Sequence, residues 1–167
     1  MNEQEKRLKV LEIAAYYVGT KESPPNSNNV LFNTRFYGHE VRDGIALNGK
    51  PDKNAAYPWC GTSVSEIFQE AKLPLGRIGW MRGFAGCPYA LENMHKWGVE
   101  VKFEHAQPGD VVFYDWQCDG KWDHVGVLKS KYIVTKDIHV YEGNTARPKS
   151  KDPKVMHSSN SIGGEFM

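Results

Sequence analysis

Apolar positions change their period about halfway along the chain, and the change splits it into a helical first part and a strand-rich second part. Residues 4–18 read as a helix, with Leu8, Leu11, Ala15 and Val18 spaced to share one face. Gly19 stops it, and the turn formers of residues 20–29 predict a loop. Residues 30–37 fit a short helix or an extended segment, and residues 38–57 show no clear period. Pro58-Trp59-Cys60 then opens a second helix. Its Val64, Ile67, Phe68 and Ala71 follow the i, i+3, i+4, i+7 pattern of a packed face, and Pro74 ends it. A glycine-rich connection leads to a third predicted helix over residues 88–97, with Leu91, Met94 and His95 inward and Gly98 as its cap. Beyond it, residues 111–114, 125–128, 132–134 and 138–141 are β-rich runs, the first entered through the turn Gln107-Pro108-Gly109-Asp110. After Asn144 the chain turns polar and is expected to loop outward, with residues 163–167 as a last short strand. Helices first and strands later predict an α+β fold in a single domain over residues 1–167.

Composition narrows the function. Hydrophobic residues are 40% and charged residues 25% of the 167 positions, as in a globular domain. Lys+Arg (21) and Asp+Glu (20) nearly cancel, so the basic excess of a nucleic-acid binder is missing and no nucleic-acid partner is expected. No apolar run approaches the about 20 residues that span a bilayer, so no membrane insertion is expected. The polar start Met1-Asn2-Glu3-Gln4-Glu5-Lys6-Arg7 lacks the pattern of a secretory signal, which predicts synthesis in the cytoplasm. Three widely spaced cysteines, Cys60, Cys87 and Cys118, suit neither a disulfide framework nor a zinc site. They are packed thiols, or one of them is catalytic.

Cys60 is the candidate. At the start of an amphipathic helix, unpaired backbone N–H groups and the helix dipole favour a thiolate, the nucleophilic form. The competing reading is a small buried hydrophobe. His124 opens an apolar strand in Asp123-His124-Val125-Gly126-Val127, where a rigid element would position a general base. The competing reading is a histidine bonded to backbone, and five other histidines share the chain. Glu142 or Asn144, in Tyr141-Glu142-Gly143-Asn144-Thr145, could fix the tautomer of such a base, although Gly and Asn are equally common in plain turns.

The order of these pieces is more specific than any one of them. Tyr57-Pro58-Trp59-Cys60, then Gln107-Pro108-Gly109-Asp110-Val111-Val112-Phe113, then Asp123-His124-Val125-Gly126-Val127, then Glu142-Gly143-Asn144-Thr145 resembles the CHAP family, a branch of the NlpC/P60-like cysteine hydrolases. The segment from Gly19-Thr20-Lys21-Glu22-Ser23-Pro24 to Ser27-Asn28-Asn29 looks like CHAP-type endolysins of phages and prophages. The resemblance implies a papain-like α+β fold, with N-terminal helices packed on a C-terminal antiparallel sheet. It implies cleavage of an amide bond of peptidoglycan, as an N-acetylmuramoyl-L-alanine amidase or an endopeptidase. Cys60 would be the nucleophile, His124 the base, Glu142 its orienter and Asn144 a support. The chain would work as a monomer without a cofactor, reaching the cell wall after release from the cytoplasm. Gly61-Thr62 departs from the bulkier or apolar residues usual after the cysteine. Asp43 and Asp52 stand apart, without the close-set aspartates of a calcium loop, so no metal is expected.

Tyr57, Trp59, Trp80, Trp116 and Trp122 crowd the motif region. Most such aromatics belong to a core. Trp116 and Trp122 flank Gln117-Cys118-Asp119-Gly120-Lys121, an expected exposed turn, and with Trp59 they are the candidates for a substrate groove. Cys118 is expected to be accessible and Cys87 buried. Two other functions use the same fold: a non-catalytic wall-binding or phage-tail module, and a bacterial amidase effector with an immunity partner.

Overall fold

The computed structural model describes residues 1–76, 83–88, 90, 100–135 and 137–145 in full, and residues 77–78, 81–82, 155–162 and 165–166 by their strand backbone. Helices α1 (Glu3–Tyr16), α2 (Leu31–Tyr37) and α3 (Cys60–Glu70) come first. A two-stranded ribbon follows, β1 (Arg77–Ile78) with β2 (Met81–Arg82). The main sheet is built from β3 (Val111–Tyr114), β4 (His124–Tyr132), β5 (Asp137–Thr145), β6 (Val155–Ile162) and β7 (Glu165–Phe166). Its order is β6-β5-β4-β3-β7 and every pairing is antiparallel. The fold is α+β, with the three central strands β3 to β5 forming its antiparallel platform.

Each helix is delimited by local chemistry. Asn2 caps α1 in a reciprocal box: its side chain accepts from the Glu5 N–H at 2.9 Å, and Glu5 accepts from the Asn2 N–H at 2.8 Å. α2 ends on Gly38, which takes the left-handed conformation. α2 and α3 begin without a side-chain cap, α3 directly after Trp59. The first-turn N–H groups of α3 are left for another acceptor.

The sheet divides two apolar clusters. The larger packs Val10, Ile13, Ala14, Phe32, Trp59, Val64 and Ile67 from the helices against Val111, Phe113, Val125 and Val127. The smaller lies among Val112, Tyr114, Leu128, Ile138 and Val140, with Ala106. Alternation along β3 and β4 generates both, since successive side chains point to opposite faces. The register Phe113↔Val125 and Val112↔Gly126 keeps the faces separate.

Several expected elements need correction. α1 buries Val10, Ile13 and Ala14, whereas the expected stripe leaves Leu8 and Val18 exposed. Val10, Ile13, Ala14 and Tyr17 satisfy helical spacing equally well, so periodicity could not select the inward stripe. Docking selects it: Arg7 pairs with Asp110, and Gly109, at φ +95°, lies against the Arg7 backbone. The run at 132–134 is not a strand. β4 ends at Tyr132, and Ile133 and Val134 occupy an exposed turn despite their β-branched side chains. The segment past Asn144 returns to the sheet as β6. The predicted helix at 88–97 with its Gly98 cap lies almost entirely outside the described residues, as does Trp80.

Candidate active site

The loop between α1 and α2 builds the platform under Cys60. Glu22 is 4% exposed, a buried carboxylate that accepts from the Trp59 indole N–H at 2.9 Å and from the Asn28 N–H at 3.2 Å. Burying a carboxylate is costly unless donors surround it, so these bonds hold the loop against the start of α3. Asn33 completes the support. Its Nδ2 donates to the carbonyls of Asn28 and Tyr57, and its Oδ1 accepts from the Thr62 hydroxyl at 2.6 Å. Asp43, isolated in sequence, accepts from Asn28 Nδ2 and from the Tyr57 N–H. The residues before and after Cys60 are thus clamped by side chains from distant parts of the chain.

Trp59 belongs to this clamp and to the core. It is fully buried and stacks on Phe32 at 5.8 Å between ring centroids. Its expected place in a substrate groove is therefore corrected. Gly143 of β5 explains the depth: a Cβ there would stand 2.5 Å from Ser63 Oγ and 2.7 Å from the Trp59 ring. Only a glycine lets the sheet approach α3 so closely.

Cys60 is the first residue of α3 and is 5% exposed. Gly61 behind it fits against the 84–87 segment, where a Cβ would overlap the Ala85 carbonyl oxygen. The small residue after the cysteine thus has a steric reason in this chain. The Cys60 thiol is held well below the ordinary cysteine range. A hydrogen bond from Cys87 contributes most, burial opposes it, and the hydrogen bond and charge of His124 and the Gly61 N–H add to the lowering.

His124 is the first residue of β4 and is 4% exposed. Its ring stacks on Trp116 at 5.2 Å with 20° between planes and lies 5.8 Å from the Tyr114 ring. It stands near enough to Cys60 to favour the thiolate, yet its Nε2 is buried without a hydrogen bond of ordinary geometry. One ring nitrogen of the buried imidazole is thus left with unmet hydrogen-bonding capacity.

Glu142 is buried across from Gly126, in a ladder where Val127 pairs with Tyr141. The ladder ends at Gly126↔Glu142, two residues short of His124 on β4 and of Asn144 on β5. Asn144 takes φ +59°, and its Oδ1 is buried without a hydrogen-bond partner. The sheet therefore brings Glu142 and Asn144 to the strand beside His124. The Asn144 oxygen makes no bond to the imidazole.

The other candidates separate. Trp116 is 62% exposed while stacked on His124, so it borders the site from the solvent side. Trp122 is half-buried and packs on Phe113 at 5.5 Å, part core and part rim. Cys118 is exposed in a turn at φ +53°. Cys87 is buried, with its sulfur 3.8 Å from that of Cys60. Sequence reasoning missed this neighbour, and it missed Glu22 and Asn33. The only signal for Glu22 was its place in the Gly19-to-Asn29 segment that carries part of the family resemblance.

Among the described residues, no three His, Cys, Asp or Glu side chains converge as a metal site, and no helix is long and apolar enough to cross a membrane. Comparison of the chain with protein-family models, with curated proteins and with solved structures finds no match in any of the three.

Proposed function

We propose that this chain is a cysteine peptidoglycan hydrolase of papain-like fold, acting as a phage endolysin on an amide bond of the bacterial wall. One observation carries the reading: a thiol favoured as thiolate at an uncapped helix start, with a buried imidazole beside it from the first residue of a strand. A thiol that serves only packing needs neither feature, and in apolar surroundings its pKa rises. The helices packed on an antiparallel sheet agree with a papain-like arrangement, and the ordered motifs supply the substrate class.

The Cys60 thiolate attacks the carbonyl carbon of a stem-peptide or muramoyl amide. The tetrahedral oxyanion forms at the α3 N-terminus, where the Cys60 N–H donates to it. His124 protonates the leaving amine and then activates the water that hydrolyses the thioester. Asn144 or Glu142 orients the imidazole, and Trp116 offers an exposed aromatic face beside it. Purified protein should clear peptidoglycan in a zymogram, and Cys60→Ala should not. Equal clearing by the two proteins, or none by either, refutes the reading. The second result would leave a wall-binding module, detectable by co-sedimentation with cell walls.

A further inference from the structure

Cys87 makes and breaks no bond in that hydrolysis, yet its sulfur lies 3.8 Å from the nucleophile across 27 residues of sequence. The contact is built from several directions. Phe84, fully buried, donates its N–H to Ser65 Oγ at 2.9 Å, and Ser65 donates back to the Phe84 carbonyl at 2.8 Å. Gly83 admits the Ser65 side chain, and Gly61 admits the Ala85 carbonyl. Two glycines and a reciprocal hydrogen bond thus fix the segment just before Cys87 along the first turns of α3.

We propose that Cys87 is a resolving thiol for Cys60, so that a peroxide converts the pair into a reversible Cys60–Cys87 disulfide. In the first step the Cys60 sulfur attacks hydrogen peroxide. An S–O bond forms, the O–O bond breaks, the sulfur loses two electrons and hydroxide leaves. Cys87 then gives up its proton and attacks the sulfenic sulfur. The S–S bond forms, the S–O bond breaks, and the departing hydroxide takes the proton as water. Two thiols and one peroxide give one disulfide and two waters. A disulfide is about 2.05 Å long, so the sulfurs must close by about 1.8 Å.

The surroundings sort the two roles. Cys60 accepts from Cys87 and, against the cost of burial, also has His124 and the Gly61 N–H, which together favour its thiolate. Cys87 is held as a thiol, through its hydrogen bond to Cys60, burial, and the negative charges of Cys60 and Asp123. Oxidation of Cys60 to a neutral sulfenic acid removes one of those charges, which eases ionisation of Cys87 at the moment it must attack. Without a resolving partner, the sulfenic acid advances to sulfinic acid and is lost.

Formation of the disulfide rests on the geometry alone, and its effect on wall hydrolysis rests on the proposed function. The test uses Cys118→Ser protein, which removes the exposed thiol. The protein is treated with stoichiometric hydrogen peroxide, blocked with N-ethylmaleimide and mapped by peptide mass. The expected product is a Cys60–Cys87 cross-linked peptide lighter by two hydrogens. Hydrolysis should fall about tenfold or more in step with it, and both should reverse with dithiothreitol. In Cys87→Ala the loss should be irreversible, with Cys60 recovered as sulfinic acid. Recovery of Cys60 as sulfinic acid or as free thiol in protein that retains Cys87 overturns the proposal. A reversible cross-link in protein that never hydrolyses wall leaves the thiol pair standing and removes the proposed function.

Discussion

The segment that carries Cys87 and the strand that carries His124 both meet Cys60, but they are fastened by different physics. Residues 83–87 are locked to α3 by steric fit and a two-way hydrogen bond, with almost no tolerance at Gly61 or Gly83. His124 arrives at the open end of a strand, stacked on an exposed tryptophan, with a buried nitrogen lacking an ordinary bond. One side is rigid and saturated. The other retains unmet bonding capacity, as a group that must exchange protons requires. The thiol thus meets two unlike neighbours, a sulfur held in a tightly fitted segment and an imidazole with a bond still unmet.

Substitutions can break this comparison, and the largest effect should come from the thiol itself. Cys60→Ala should lower wall hydrolysis about a thousandfold or more while the thermal midpoint stays near that of the parent, read by turbidity and calorimetry. Residual turnover within tenfold of the parent would mean that another group attacks. On the locked side, Gly61→Ala forces a Cβ into the Ala85 carbonyl and should cost about 1–3 kcal/mol by chemical denaturation. Unchanged stability would show that the segment is looser than described. Trp59→Phe removes the donor to Glu22, leaving a buried carboxylate with one fewer partner, and shrinks a fully buried ring, so it should cost about 1–3 kcal/mol or more by the same measurement. On the open side, Trp116→Ala should change stability by less than about 0.5 kcal/mol, because the ring is mostly exposed. Its effect should appear in KM for wall fragments, and a large fall in stability would reassign it to the core.

The sequence was most legible where local spacing decides structure. Pro58 and the spacing of Val64, Ile67 and Ala71 placed Cys60 at a helix start, and the run after Asp123 placed His124 at a strand start. Legibility failed where distant contacts decide. The two stripes of α1 are equivalent until Asp110 and Gly109 engage Arg7. Trp59 reads as a groove aromatic until Glu22, 37 residues earlier, claims its N–H. Cys87 has no periodic relation to Cys60, and two glycines in a loop do not announce which helix they will meet. Ile133 and Val134 show the reverse error, where β propensity yields to the need to turn the chain between β4 and β5.

Thiol ionisation also carries a sign for stability. The folded Cys60 pKa lies below its unfolded value, so its contribution is fully present above the unfolded value of about 8.5 and fades as pH falls through the folded one. Cys87 runs oppositely: its folded pKa is raised, so its contribution is present below about 8.5 and is lost only at higher pH. Cys60→Ser should therefore flatten the acid side of the stability profile, measured by denaturation across pH.

The measurement closest to the centre is the rate of Cys60 alkylation by iodoacetamide as a function of pH, followed by peptide mass so that Cys118 does not contribute. The thiolate–imidazole pair predicts an inflection well below about 8.5 in the parent, and a shift of that inflection to higher pH in His124→Ala. An ordinary inflection in the parent, or the same profile in both proteins, would contradict it.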